Sequence, residues 1–173
     1  MDTVLPTDRL TPYQRIMLAT WQQHTFAEFE LKDADAALAT MTENPYVLLI
    51  PSGTGGSGRA GVRNFYADHF LSNLPPDLEI TSLSQTFGED RIVEEFIVRF
   101  THTLRMDWML PGLRATGRRT EFAFVGIIEF QDGKVAGERL YWDQAGVLSQ
   151  LGVLDHPTAA AGVGSAAQLL QLR

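Results

Sequence analysis

Acids set beside large aromatics are the first chemical signal in this chain. Residues 117–151 read GRRTEFAFVGIIEFQDGKVAGERLYWDQAGVLSQL, a stretch that carries Glu138 and closes on Tyr141-Trp142-Asp143-Gln144. A carboxylate pressed against Trp142 and an aromatic face of Phe122, Phe124 and Phe130 loses water. Its pKa then rises towards a value useful for general acid/base work. His102, at the far end of an apolar face formed by Phe96, Val98 and Phe100, is the other natural proton carrier near neutrality. Asp143 either caps the helix that follows, as Asp-x-x-Gly suggests, or lines the mouth of a pocket. His24 and Glu28 stand one helical turn apart, at the edge of a core or lining a pocket. His24, His69 and His102 lie on three separate elements without His-x-x-x-His spacing, so no metal is expected. A Gly-x-Ser-x-Gly nucleophile is absent.

These groups need elements to position them. Thr11-Pro12-Tyr13-Gln14 predicts a helix start, with Thr as N-cap, Pro at the first helical position and Gln placed for a capping box. The helix should run to about residue 31. Its broad inner face carries Tyr13, Ile16, Met17 and Thr20, then Trp21, His24, Ala27, Glu28 and Leu31. Asp33 can cap a short second helix, and residues 45–50 (PYVLLI) form an apolar strand. Gly53-Thr54-Gly55-Gly56-Ser57-Gly58 matches the glycine spacing of a dinucleotide loop. Strands without alternating helices follow it, so a doubly wound sheet cannot be built. The segment is expected to be a flexible loop at a cavity mouth.

A third helix, over residues 60–74, turns Val62, Phe65, Tyr66, His69 and Phe70 inward. Two strands follow, over residues 78–87 and from residue 91 to about 104. Residues 105–116 are irregular yet rich in apolar groups, with Asp107 and Trp108 among them, and should fold over something apolar. Asp132-Gly133 then marks a two-residue hairpin turn.

The chain has 173 residues, 45% of them hydrophobic, which suits one domain with ample core. A formal charge of −7 argues against nucleic acid and anionic membrane as partners. Cysteine is absent, which removes disulfides, thiolate metal sites and cysteine nucleophiles. The first residues lack the pattern of a secretory signal, and no apolar run approaches a membrane span, so a cytoplasmic location is expected. The organisation predicted is an arm over residues 1–10, a domain over 11–154, and an Ala/Gly-rich tail over 155–173. That tail is expected to be mobile or docked, with a fragment of helix from Ser165.

The order helix, helix, strand, helix and then a strand meander resembles the NTF2-like α+β cone, in particular the SnoaL-like polyketide cyclases. Limonene epoxide hydrolases are more distant relatives. The resemblance rests on Thr116-Gly117-Arg118-Arg119, on Phe130-Gln131-Asp132-Gly133-Lys134-Val135, and on Tyr141 to Leu148 with Gln150-Leu151-Gly152. Helix three adds Phe65-Tyr66. It implies three N-terminal helices packed on a curved mixed, largely antiparallel sheet that encloses a pocket. It also implies a homodimer through the outer sheet face, and acid/base chemistry on an apolar carbonyl-bearing molecule with no cofactor. The family's acid/base Asp maps to Leu140, and its partnering His to Gly126. If Leu140 faces the cavity, period-two alternation puts Glu138 and Trp142 on the same wall.

The expected catalytic groups are therefore Glu138, His102 and Asp143. Expected substrate contacts are Trp21, His24, Tyr66 and Phe100, with Asp107, Trp108, Phe124, Tyr141 and Trp142. A non-catalytic small-molecule-binding domain is the competing reading. An epoxide hydrolase built on Arg105-Met106-Asp107 is the third.

Overall fold

The computed structural model describes residues 9–154 and 164–171. Most of the expected N-terminal arm and the first part of the tail thus lie outside the described residues. Helix α1 (Pro12–Phe26) starts on the predicted capping box: the Gln14 N–H donates to Thr11 Oγ1 at 3.2 Å, and the Thr11 N–H donates to Gln14 Oε1 at 3.0 Å. Beyond Phe26 it widens into a π-helical turn (Ala27–Leu31), and Lys32 ends it in the left-handed conformation with φ of 52°.

The expected inner face is narrower than its sequence pattern. Met17, Trp21, His24, Ala27 and Glu28 are buried, whereas Ile16 and Leu31 are 51% and 55% exposed. Ile16 lies beside the hairpin turn at Gly133, and the wider turn rotates Leu31 off the face. Helix α2 (Ala34–Ala39) is capped by Asp33, whose Oδ1 accepts from the Asp35 and Ala36 N–H groups at 2.9 and 3.1 Å.

Strand β1 (Met41–Leu49) pairs with β2 (Thr54–Ser57), which corrects the expectation of a flexible glycine loop. The glycines serve backbone contact. A Cβ on Gly55 would sit 2.0 Å from the Val47 carbonyl oxygen, and one on Gly56 would sit 2.4 Å from that of Gly61. Helix α3 (Gly58–Asn64) continues as a second π-helical turn (Phe65–Phe70) and a short 3-10 turn (Leu71–Asn73). Then come β3 (Glu79–Phe87), β4 (Arg91–Thr101), β5 (Arg119–Gln131), β6 (Lys134–Trp142) and α4 (Gln144–Gln150). Helix α5 (Ser165–Gln171) packs on β5 and buries Ala166.

The six strands form one curved sheet in the order β2-β1-β6-β5-β4-β3; β1 and β6 run parallel and every other pair is antiparallel. Asp132 and Gly133 take φ of 52° and 76°, the two positive values that the tight β5–β6 turn requires. The Thr20 hydroxyl donates to the Gly133 carbonyl at 2.7 Å, and the Gly133 N–H donates to the Tyr13 hydroxyl at 3.2 Å. These bonds pin α1 across the sheet. Along β5, Phe122, Phe124, Ile128 and Phe130 alternate inward and are buried. Each such side chain contributes about 1.5–3 kcal/mol. The fold is the predicted α+β cone.

Candidate functional site

Between helices and sheet lies a cavity of about 710 Å³. Its wall is largely apolar and rich in aromatic side chains, among them Trp21, Phe65, Phe70, Phe96, Phe122 and Phe124, and Leu140 lies on it as the alternation predicts. Residues 105–113 fold over one end, burying Met106, Trp108, Met109 and Leu110. Trp108 Nε1 donates to the Asn73 carbonyl at 3.2 Å, and the Trp108 ring meets Phe70 edge-on at 4.9 Å. The Ser52 and Thr54 hydroxyls donate to the Trp108 carbonyl, so β2 and this flap hold each other.

A buried polar cluster of His24, Glu28, Tyr66 and Glu138 interrupts the apolar wall, and the last three of these line the cavity. Both π-helical turns contribute to it, one carrying Glu28 and the other Tyr66. Such wide turns recur at functional sites because they re-aim one side chain without ending the helix. Glu138 comes from β6.

The hydroxyl of Thr40 donates to the Ala37 carbonyl at 2.7 Å and accepts from His24 Nδ1 at 2.6 Å. That fixes a proton on Nδ1 and aims Nε2 at the acids. Nε2 lies 3.2 Å from Glu138 Oε1, 3.4 Å from Glu28 Oε1 and 3.1 Å from the Tyr66 hydroxyl, which itself donates to Glu138 Oε1 at 2.8 Å. Burial opposes charging of His24, but the two carboxylates outweigh it and push its pKa up to about 10. His24 is therefore an imidazolium at neutral pH. Burial raises the Glu28 carboxyl, and the His24 charge only partly offsets this. Burial and the adjoining carboxylates also push the Tyr66 phenol well above its ordinary value, so it remains a donor.

A second acid lines the same cavity. Glu94 on β4 accepts from Trp21 Nε1 at 2.6 Å and from the Ser82 hydroxyl at 2.7 Å. The Trp21 ring in turn stacks on the His24 imidazole, with centroids 5.4 Å apart and planes at 12°.

Of the groups expected from the sequence, Trp21, Tyr66, Trp108, Phe124 and Glu138 line the cavity, and His24 stands directly behind it. His102 is buried elsewhere: its Nδ1 accepts from the Thr116 N–H at 3.3 Å, its Nε2 has no partner among the described residues, and burial lowers its pKa. Phe100 packs on Phe122, and Trp142 stacks behind Phe124 at 5.4 Å. Tyr141 is 36% exposed, on the sheet's other face. Asp107 is exposed, ion-paired to Arg105 at 2.6 Å, and accepts from the Gly112 N–H. The Arg105–Asp107 pair thus lies on the surface, away from the cavity.

Asp143 takes the capping role, accepting from the Gly146 N–H at 3.0 Å. Asp143→Ala should cost about 1 kcal/mol in chemical denaturation and leave ligand binding in the cavity unchanged.

Glu94 and Thr40 escaped the sequence reading. Alternation along β4 puts Glu94 on the face of Phe96 and Val98, and that was the available signal. Nothing local marks Thr40 as the orienter of a histidine 16 residues away. His24 Nε2 and one oxygen each of Glu28 and Glu138 lie within 4.8 Å of one another, a donor set of the kind that holds a divalent cation. Here Glu138 Oε1 accepts from the Tyr66 hydroxyl, and His24 Nε2 stands between the two acids as their counter-ion.

A curved sheet closed by helices around a deep, largely apolar cavity defines the NTF2-like cone. Residues 23–138 match the SnoaL-like domain, and the chain belongs to that family. Among solved structures it is similar to a SnoaL-like polyketide cyclase candidate from Jannaschia sp. CCS1, with 19% identity, a TM-score of 0.68, and 82% of this chain and 95% of that one covered. It is also similar to IdmH, a polyketide cyclase candidate from Streptomyces antibioticus, with 20% identity, a TM-score of 0.59, and 79% and 99% covered. TerC, co-crystallised with polyporic acid, shows 14% identity, a TM-score of 0.58, and 79% and 98% covered. No curated protein matches the sequence. Identities this low establish the shared fold.

Proposed function

We propose that the protein is a cofactor-independent enzyme that moves a proton on an apolar, carbonyl-bearing small molecule. The carrying observation is the cluster of one imidazolium, two carboxylates and a phenol, at the wall of a cavity of about 710 Å³. That volume takes a drug-sized or polycyclic ligand. Glu138 removes a proton from the carbon next to the carbonyl, and the C–H electron pair moves into an enolate. As Glu138 gains the proton, the Tyr66 hydroxyl is freed from it and donates to the developing oxyanion. His24 holds positive charge behind both groups. Return of the proton to another carbon is isomerisation; attack of the enolate on a second carbonyl, with the Glu138 proton passing to the new alkoxide, is cyclisation; expulsion of a β-hydroxyl that takes the Glu138 proton and leaves as water is dehydration. The same reading has the protein acting in the cytoplasm as a homodimer. Its contact would be the outer sheet face, where Leu48 and Tyr141 are 38% and 36% exposed.

One observation favours a non-catalytic ligand-binding role: the positions of the family's acid and histidine are Leu140 and Gly126. Incubating the protein in D2O with a panel of aromatic and polycyclic ketones separates the two. Deuterium entering the α-carbon of a bound ketone, read by mass spectrometry, supports the enzyme. Ketones that bind and never exchange leave only the binding role.

A further inference from the structure

The cavity's acids are not balanced by its bases. Among the described residues its inner wall carries Glu28, Glu94 and Glu138, and the imidazolium behind that wall, His24, sits with Glu28 and Glu138. Glu94 is 8% exposed and forms no ion pair among the described residues; its hydrogen bonds come from two neutral donors, the Trp21 indole and the Ser82 hydroxyl. A carboxylate offers about four acceptor positions, so such a pair leaves room for a further donor from the cavity side.

The surroundings of Glu94 suit a cation with an apolar body. Along the row of paired strands Glu94 stands opposite Gly126, and Gly126 opposite Leu140; Leu140, Ile128 and Phe96 reach in over the glycine and give the acid an apolar neighbourhood. Phe96 and Phe124, stacked at 4.9 Å, form the adjoining wall, and the Trp21 ring stands on the other side, held by Glu94 itself. Aromatic faces attract a cation through their negative π-clouds, and a desolvated carboxylate adds a charge-assisted hydrogen bond. Lys32, the basic residue on the cavity rim, is exposed and lies at the helix end beside Glu30.

We propose that the cavity takes a ligand carrying a protonated amine, seated on Glu94 and flanked by Trp21, Phe96 and Phe124. This deepens the reading of the cavity as a substrate site and rests on it: the carbonyl faces Tyr66 and Glu138, and the ammonium faces Glu94. Glu94 is then a specificity-determining residue, distinct from the proton-moving cluster.

The test uses a matched pair of probes, 2-naphthylmethylamine and 2-naphthalenemethanol, titrated at pH 7 against the full chain by calorimetry and tryptophan fluorescence. The amine should bind about tenfold or more tightly than the alcohol. Glu94→Gln should erase that preference with the alcohol's affinity unchanged, and Glu138→Gln should retain it. Equal affinities for the two probes in the unaltered protein overturn the proposal and leave the cavity reading standing. A preference that survives Glu94→Gln and vanishes in Glu138→Gln overturns it as well. If neither probe binds, the cavity reading fails and this proposal falls with it. The comparison in the unaltered protein stands even if a variant fails to fold.

Discussion

Replacing His24 by Leu should lower the unfolding free energy by about 3–5 kcal/mol at pH 7, the usual cost of leaving a buried charge without its partner. Two carboxylates, Glu28 and Glu138, lie within 3.4 Å of Nε2 and would face each other without a cation. Thr40 would also lose the donor it accepts from at 2.6 Å. The deficit should shrink in acid, because protonated carboxyls no longer need the imidazolium. The unaltered protein should show the complementary trend on the alkaline side. In the unfolded chain His24 releases its proton near 6.5, whereas in the folded protein it keeps it up to about 10. The unfolded state binds fewer protons across that window, so the contribution of His24 is complete below pH 6.5 and fades as pH climbs towards 10. Urea unfolding at half-unit pH steps, on the native protein and His24→Leu, reads both effects. A His24→Leu protein as stable as its parent at pH 7 would show that the cluster holds no buried ion pairing.

Glu138→Gln should slow proton abstraction by about 100- to 10,000-fold and leave ketone affinity within about tenfold. Gln keeps the volume and an oxygen to accept from Tyr66, which donates to Glu138 at 2.8 Å, so the wall stays packed. What it loses is basicity. Solvent deuterium exchange under single-turnover conditions measures the chemical step alone. Tyr66→Phe should cost rate with little change in affinity, because its hydroxyl is needed most where charge develops on the substrate oxygen. A Glu138→Gln protein that exchanges at the parental rate would remove Glu138 from the reaction and point to Glu28, the other cavity-lining carboxylate of the cluster.

Local rules were enough for the frame. Thr11-Pro12-Tyr13-Gln14 announced a capped helix because its bonds close within one turn, and Asp132-Gly133 announced the hairpin because few residues accept two positive φ angles. The alternating phenylalanines of β5 announced a buried sheet face, while the cone itself was what the resemblance in element order and motifs implied. Where contacts run across the chain, the same rules misled. The glycines at positions 55 and 56 looked like a loose loop, since nothing adjacent in sequence reveals the Val47 and Gly61 carbonyls pressed against them.

The candidate site divides in the same way. Sequence by itself determined that Glu138 would share a strand face with Leu140 and Trp142, because alternation is a property of one strand. It also placed His24 and Glu28 one turn apart on a single helix. Only the tertiary structure decided that these groups meet, since Glu138 reaches His24 across 114 residues, with Tyr66 arriving from a third element. The decision turns on two π-helical turns and on the Thr40 hydroxyl that chooses which imidazole nitrogen faces the acids. His102 shows the converse: its residue type promised proton transfer, but the fold gave its ring to the Thr116 backbone. Protonation and partnership depend on distance and burial. Both are set by which elements pack together, and no spacing along the chain encodes them directly.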